Sequence, residues 1–274
     1  MAAILEAKGL EKSFGSVTAA VGIDVAVDKN EVVGIIGANG AGKTTFINMV
    51  TGFVKPDSGR ILFRSRDITA LSPRAVTNLG ISRSFQIPQV FTSASVADNL
   101  LIALGAAERD RFSFWRPLRR KSLLEATAGQ MKLFQIADFA DHEAATLPQG
   151  IRKLLDIAMA VVRRPEILLL DEPTSGVSVE EKFQIMDTVM SALKAQGVTV
   201  LFVEHDMEII ARYAQRVIAF YEGTIIADGA TEEVLAHEQV RKYVTGEELH
   251  GGASDAVPAA GNAAVRVDKE AGRA

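Results

Sequence analysis

The chain has 274 residues, enough for one large α/β domain with modest appendages. Apolar residues make up 48% and the formal charge is −4, which supports a packed core and gives no global basic field for nucleic acid. Cysteine is absent, which excludes disulfides, thiolate metal sites and thiol catalysis.

The opening residues MAAILEAKGLEKSF mix acids and bases without a sustained apolar stretch, so no targeting segment is expected. No apolar run approaches bilayer length: AMAVV ends at Arg163-Arg164 and ILLL ends at Asp171-Glu172. The expectation is a chain that meets a membrane only through a partner.

In chain order, Ile4–Ala7 and Ile23–Val27 alternate as short strands, with a turn at Phe14-Gly15-Ser16. Glu31–Ile36 (EVVGII) reads as a β-branched strand that runs into a glycine-rich loop, and Lys43–Val50 as the helix after it. Arg60–Phe63 reads as a strand behind a Pro-Asp-Ser-Gly turn. Val96–Leu104 and Leu123–Ile136 have helical period, with few strand signals between Gln89 and Thr146. That texture suggests a helical subdomain, about 89–162, inserted into an α/β core.

The core resumes with a helix over Gly150–Val162 and strands at Ile167–Leu170, Val198–Val203 and Arg216–Tyr221. Glu222-Gly223-Thr224 reads as a hairpin turn into Ile225–Ala227, and short closing helices follow at Glu232–His237 and Gln239–Tyr243. Residues 251–274 are Ala, Gly and charge without periodicity and read as a disordered tail behind a 1–250 domain. Apolar strands alternating with helices predict a mainly parallel sheet covered on both faces.

Gly37–Thr45 is GANGAGKTT, which fits the phosphate-loop pattern G-x-x-x-x-G-K-[ST] in the required place between strand and helix. Gly37, Gly40 and Gly42 let the backbone curl through Ala38, Asn39 and Ala41, so that successive N–H groups converge on phosphate oxygens. The helix start at Lys43, Thr44 and Thr45 adds unsatisfied donors and a positive dipole end. Lys43 is expected on the β/γ-phosphates and the Thr44 hydroxyl on Mg²⁺. Taken alone, the motif specifies only a nucleotide binder.

ILLLDEPT (Ile167–Thr174) carries two carboxylates to the end of an apolar strand, where open α/β sheets place ligands. Asp171 is expected to hold the Mg²⁺ shell and Glu172 to act as general base on water. His205 follows another apolar strand (VTVLFVEHD); it reads equally as a structural or surface histidine and as a γ-phosphate contact.

These pieces, in this order, resemble the ABC (ATP-binding cassette) ATPase family: GANGAGKTT, Gln86 in SRSFQIPQ, LPQGIRKLLDIAMA, ILLLDEPT and VEHDM. The resemblance runs from about Leu5 to Leu249. It implies a P-loop NTPase fold with a RecA-like core, an antiparallel β-subdomain and an inserted helical subdomain. It further implies that Phe14 stacks on adenine, that Gln86 touches Mg²⁺ or the lytic water, and that His205 senses the γ-phosphate. Gly150 matches a signature-loop glycine facing the opposite subunit's ATP, and Ser175–Ser178 a loop between subunits. Phe14 also suits a plain core aromatic, and Gln86 an ordinary loop residue.

The signature loop departs from the family's Leu-Ser-Gly-Gly-Gln: here it is Leu147-Pro148-Gln149-Gly150-Ile151. Proline brings neither hydroxyl nor N–H, so a phosphate contact is expected to be missing there, although proline suits a helix start. NLGISRSFQ, PTSGVSVEEKFQIMD and RKYVTGEEL resemble the branched-chain amino-acid importer group and its urea and amide relatives. That resemblance implies a peripheral subunit at the cytoplasmic face of the membrane, using ATP and Mg²⁺. Its implied partners are a second ATPase subunit (a different chain or a second copy), membrane-spanning permease subunits and, indirectly, a substrate-binding protein. Arg109–Lys121 interleaves basic and aromatic residues; the reading preferred is a solvated connection beside the permease, against nucleic acid or lipid headgroups. The competing readings are a soluble ABC mechanoenzyme, a GTPase, for which no Asn-Lys-x-Asp motif is present, and a nucleotide-dependent structural module.

Overall fold

The computed structural model describes residues 3–108 and 117–245. The 251–274 tail and most of the Arg109–Lys121 segment lie outside the described residues. Alternating apolar residues in β1 (Leu5–Phe14) and β2 (Val17–Val27) build a hairpin across Gly15, whose φ of 61° suits a residue without Cβ. β1 also pairs antiparallel with β4 (Ser58–Phe63), and β5 (Arg66–Asp67) pairs with β4, giving a four-stranded sheet in the order β2-β1-β4-β5.

The second sheet holds β3 (Val32–Gly37), β6 (Ile81–Ser84), β7 (Ile167–Asp171), β8 (Thr199–Val203), β9 (Arg216–Tyr221) and β10 (Thr224–Ala230). Its order is β10-β9-β3-β8-β7-β6; every pairing is parallel except the β9–β10 hairpin. The parallel pairs are the ones whose residues are buried on both faces, as in β7 and β8, where all five residues are buried.

Side-chain alternation divides those strands between two cores. Leu168, Leu170, Val200, Phe202, Val217 and Ala219 face one, which the helices fill; Ile167, Leu169, Leu201, Val203, Ile218 and Phe220 face the other, shared with the antiparallel sheet. The helices of more than one turn are α1 (Lys43–Val50), α2 (Pro73–Leu79), α3 (Val96–Ala107), α4 (Lys121–Leu133), α5 (Gln149–Ala160), α6 (Val179–Ala195), α7 (Met207–Tyr213) and α8 (Thr231–Ala236), and short helical turns follow at Glu238–Val240 and Arg241–Thr245. Between β6 and β7 the described residues hold helices α3, α4 and α5 and no strand.

α1 and β9 have the bounds read from the sequence, whereas β1 and β2 are longer and α2, β6, α6 and α7 were not anticipated. α6 starts on a reciprocal cap, Ser178 accepting from the Glu181 N–H while the Glu181 carboxylate accepts from the Ser178 N–H. No helix among the described residues is long and apolar enough to cross a membrane.

Leu168 of β7 is fully buried, between β6 and β8. Leu168→Ala is expected to lower unfolding free energy by about 2–5 kcal/mol, read as a shifted midpoint in chemical denaturation.

Candidate active site

The pairing register assembles the site. Val203 stands beside Ile35 of β3 on one side and Asp171 of β7 on the other. Two residues past Ile35 the chain enters the glycine loop, one past Asp171 comes Glu172, and two past Val203 comes His205. All three therefore emerge at the same carboxyl edge of the sheet, where parallel α/β sheets present ligands. Residues 39–45, Glu172 and His205 line one cavity of about 140 Å³, a volume suited to a phosphate group.

Two glycines of the loop are demanded by close approach. A Cβ on Gly42, whose φ is 104°, would lie 2.5 Å from the Ala19 carbonyl oxygen, and one on Gly37, with φ 153°, would lie 2.5 Å from that of Phe220. The loop is thereby seated against both sheets. Lys43 is buried, and its ammonium donates to the carbonyl oxygens of Gly37 at 2.7 Å and Ala38 at 3.0 Å, bridging the loop's entry. Burial pulls its pKa down, with the carboxylates of Glu172 and Asp171 acting against that shift.

Glu172 sits on a left-handed backbone, φ 50°, which turns its side chain out of the strand line into the cavity. Its N–H donates to the Val203 carbonyl at 3.0 Å, tying the turn to the neighbouring strand. One carboxylate oxygen accepts from Gln86 Nε2 at 2.7 Å; the other lies 3.0 Å from His205 Nε2. Glutamine, glutamate and histidine thus form one chain of polar contacts along the cavity's side.

Asp171 is buried beside this row. Arg83 Nη2 donates to its Oδ2 at 2.5 Å, while Arg83 Nη1 donates to Asn48 Oδ1 of α1 at 2.5 Å. Arg83 was not singled out in the sequence, although a charged residue inside the short ISRS strand was a signal. It neutralises a buried carboxylate and fixes β7 to α1, and removing one partner of such a pair is costly.

The donors present fit a hard cation carried by phosphates. The Thr44 hydroxyl is exposed and has no protein partner among the described residues, and the second oxygen of Asp171 has none either. No group of three His, Cys, Asp or Glu that could hold a metal exists among the described residues. One hydroxyl and one carboxylate, completed by phosphate oxygens and water, is how Mg²⁺ is commonly held.

Phe14 and Gly150 are not brought to this cavity. Phe14 is half exposed at the end of β1, with Lys12 Nζ 5.5 Å above its ring. Gly150 is buried at the start of α5 and borders a separate cavity of about 190 Å³ with Ile185 and Thr188 of α6. Pro148 caps α5 without a side-chain hydrogen bond, whereas Ser72, Ser95, Ser178 and Asp206 all cap their helices with one.

Three further buried charges were missed. Glu204 accepts from the Thr174 N–H and hydroxyl, at 2.9 and 2.7 Å, and its pKa is raised by burial against those hydrogen bonds. Lys153 and Asp156 lie on the core-facing side of α5, where a charge at an apolar-stripe position was the available signal.

A glycine loop between strand and helix, at the carboxyl edge of a parallel sheet, makes this protein a P-loop nucleotide-binding protein. Residues 21–175 match the ABC transporter family model. The chain is 35% identical, over 89% of its length and 95% of the relative's, to a probable branched-chain amino acid transport ATP-binding protein LivG of Archaeoglobus fulgidus. It is 33% identical to the high-affinity branched-chain amino acid transport ATP-binding protein BraF of Pseudomonas aeruginosa, over 89% and 98% of the two chains. A solved ATP-binding cassette of an ABC transporter in its ADP conformation superposes with a TM-score of 0.79 at 33% identity, covering 88% of this chain and 98% of that one. The chain belongs to the ABC transporter family, as one of its ATP-binding cassettes.

Gly42→Ala places a methyl group against the Ala19 carbonyl on a backbone that disfavours any Cβ. The expected result is a loss of about 1–3 kcal/mol of stability together with weakened nucleotide binding, checked by thermal melts with and without ATP.

Proposed function

We propose that this chain is the ATP-hydrolysing subunit of a membrane importer for branched-chain or other amino acids. The observation that carries the reading is the meeting of the glycine loop with the Gln86–Glu172–His205 chain at one sheet edge. The names of the relatives, transport ATP-binding proteins for branched-chain amino acids, support the cargo class.

In the proposed reaction the N–H groups of residues 37–45 and the Lys43 ammonium bind the phosphates. When bound, Mg²⁺ supplies charge neutralisation at the β/γ-phosphates, with the Thr44 hydroxyl, Asp171 and Gln86 as the residues to hold it. Glu172 takes the proton of the attacking water, and its contacts to Gln86 and His205 orient it. His205 is then placed to donate to the γ-phosphate. Phe14 lies outside the phosphate-sized cavity, as an adenine platform would.

The partners proposed are a second cassette, apolar permease subunits and a separate substrate-binding protein, with this chain peripheral at the cytoplasmic face of the membrane. In a head-to-tail pair the loop at Gly150 serves the partner's nucleotide. Because Pro148 lacks a hydroxyl, a pair made of two copies of this chain is expected to turn over more slowly than a mixed pair whose partner carries the fuller signature.

Steady-state hydrolysis by the chain, with and without its neighbouring cassette and permease subunits, tests this reading. Turnover is expected only in the assembly and is expected to vanish with Lys43→Ala. Glu172→Gln should keep ATP binding while hydrolysis falls by about 10²–10⁴-fold. Full activity of the isolated chain, insensitive to any membrane subunit, would move the reading to a soluble mechanoenzyme.

A further inference from the structure

Helix α5 carries two charged side chains toward the core, one turn apart: Lys153 and Asp156, 3% and 6% exposed. A buried ammonium usually sits on a carboxylate. Lys153 makes no ion pair among the described residues. Its three donors go instead to the Glu172 carbonyl at 2.9 Å, the Ser175 hydroxyl at 2.9 Å and the Gln86 carbonyl at 3.3 Å.

Asp156 completes the hold on the same stretch. It accepts from the Ser84 hydroxyl and from the Gln89 N–H, both at 2.8 Å. One helix therefore grips the 84–89 segment at three points and the turn after β7 at two. The two side chains carried by those segments, Gln86 and Glu172, meet at 2.7 Å. Where a peptide group sits decides where its side chain points, and Glu172 stands on a left-handed backbone that needs outside support.

We propose that Lys153 is a positioning residue of the hydrolysis reaction, locking the peptide groups of Gln86 and Glu172 and the Ser175 hydroxyl into one unit that moves with α5. The inference rests on the ATPase reading above and goes beyond it by naming what sets the base and its glutamine. The choice of acceptors argues against simple charge storage: two backbone carbonyls and a hydroxyl fix a geometry, whereas a single carboxylate would satisfy the charge. Lys153 makes no hydrogen bond to the 37–45 loop, so its role separates from nucleotide binding. Movement of α5 then changes the alignment of Gln86 and Glu172 together, while the phosphate cradle stays as it is.

The test uses the assembly in which the wild-type chain turns over ATP, and compares Lys153→Met, Lys153→Gln and Lys153→Arg for kcat, KM, affinity for a non-hydrolysable ATP analogue, and melting temperature. Lys153→Met is expected to lose about 100-fold in kcat with KM and analogue affinity unchanged, the scale expected when a reacting group is misplaced by about 1 Å. Lys153→Arg, which keeps the charge and several donors, should recover most of the rate, and Lys153→Gln little. A wild-type kcat in Lys153→Met, or parallel losses of kcat, affinity and melting temperature across the series, would overturn the proposal.

Hydrogen exchange on the Lys153→Gln chain provides a readout that does not depend on turnover. Faster exchange is expected at residues 84–89 and 172–175 and not at 37–45; a uniform rise or no change would count against the role. Lys43→Ala runs alongside. Retained turnover there would show that hydrolysis does not depend on the 37–45 loop and sink the reading of this site, whereas a dead Lys43→Ala beside a fully active Lys153→Met sinks only the role of Lys153.

Discussion

Parallel pairing of β3, β8 and β7 is the constraint from which the rest of this molecule follows. Parallel strands carry their ends in the same direction, so the register that sets Val203 between Ile35 and Asp171 also brings the glycine loop, Glu172 and His205 to one edge. The same pairing demands cover on both faces, because each strand points alternate residues to opposite sides. Helices supply one cover; α1 and the antiparallel sheet supply the other. The loop lies where these layers meet, which is why Gly42 touches Ala19 of β2 and Gly37 touches Phe220 of β9.

That edge is crowded with buried charge, and the chain compensates it in different ways. Arg83 and Asp171 form a direct pair, both nearly buried. Glu204 and Asp156 are held by N–H and hydroxyl donors, and burial raises the pKa of each. Lys43 and Lys153 donate to carbonyl oxygens, and burial lowers the pKa of each. Ion pairs screen charge with little regard to backbone geometry, whereas carbonyl and N–H partners fix the backbone itself. Around Gln86 and Glu172 the second kind prevails, as suits a place where alignment rather than mere charge balance matters.

What the sequence disclosed follows the strength of local signals. α1 could be bounded at Lys43–Val50 because the glycine loop starts it, and β9 at Arg216–Tyr221 because its apolar run ends on a glycine turn. β6 escaped notice because Ile-Ser-Arg-Ser has only one apolar residue; tertiary pairing with β7 makes it a strand. α2 and α6 carry caps that are visible in the sequence, Ser72 with Pro73 and Ser178 with Glu181. The loop, Asp171, Glu172, Gln86 and His205 were legible because motifs name them one by one. Arg83, Lys153, Asp156 and Glu204 were not, because what makes each of them matter is a partner 19 to 88 residues away.

The altered signature loop gains a physical sense from this arrangement. Pro148 and Gln149 change only the front of α5, where the helix begins without a side-chain cap. Lys153 and Asp156, one and two turns further in, belong to its back, where Lys153 grips this chain's own Gln86 and Glu172 and Asp156 grips Ser84 and Gln89. Gln149 Nε2 also reaches the Ser175 carbonyl at 3.4 Å, so the front of the helix contacts the same residue that Lys153 holds by its hydroxyl. In the head-to-tail pair proposed above, front and back would answer to different nucleotides. On that reading the chain can lose the phosphate contact it would offer a partner and keep intact the framework behind Glu172, the base proposed above, so that one substituted turn suffices to make the proposed pair of cassettes unequal.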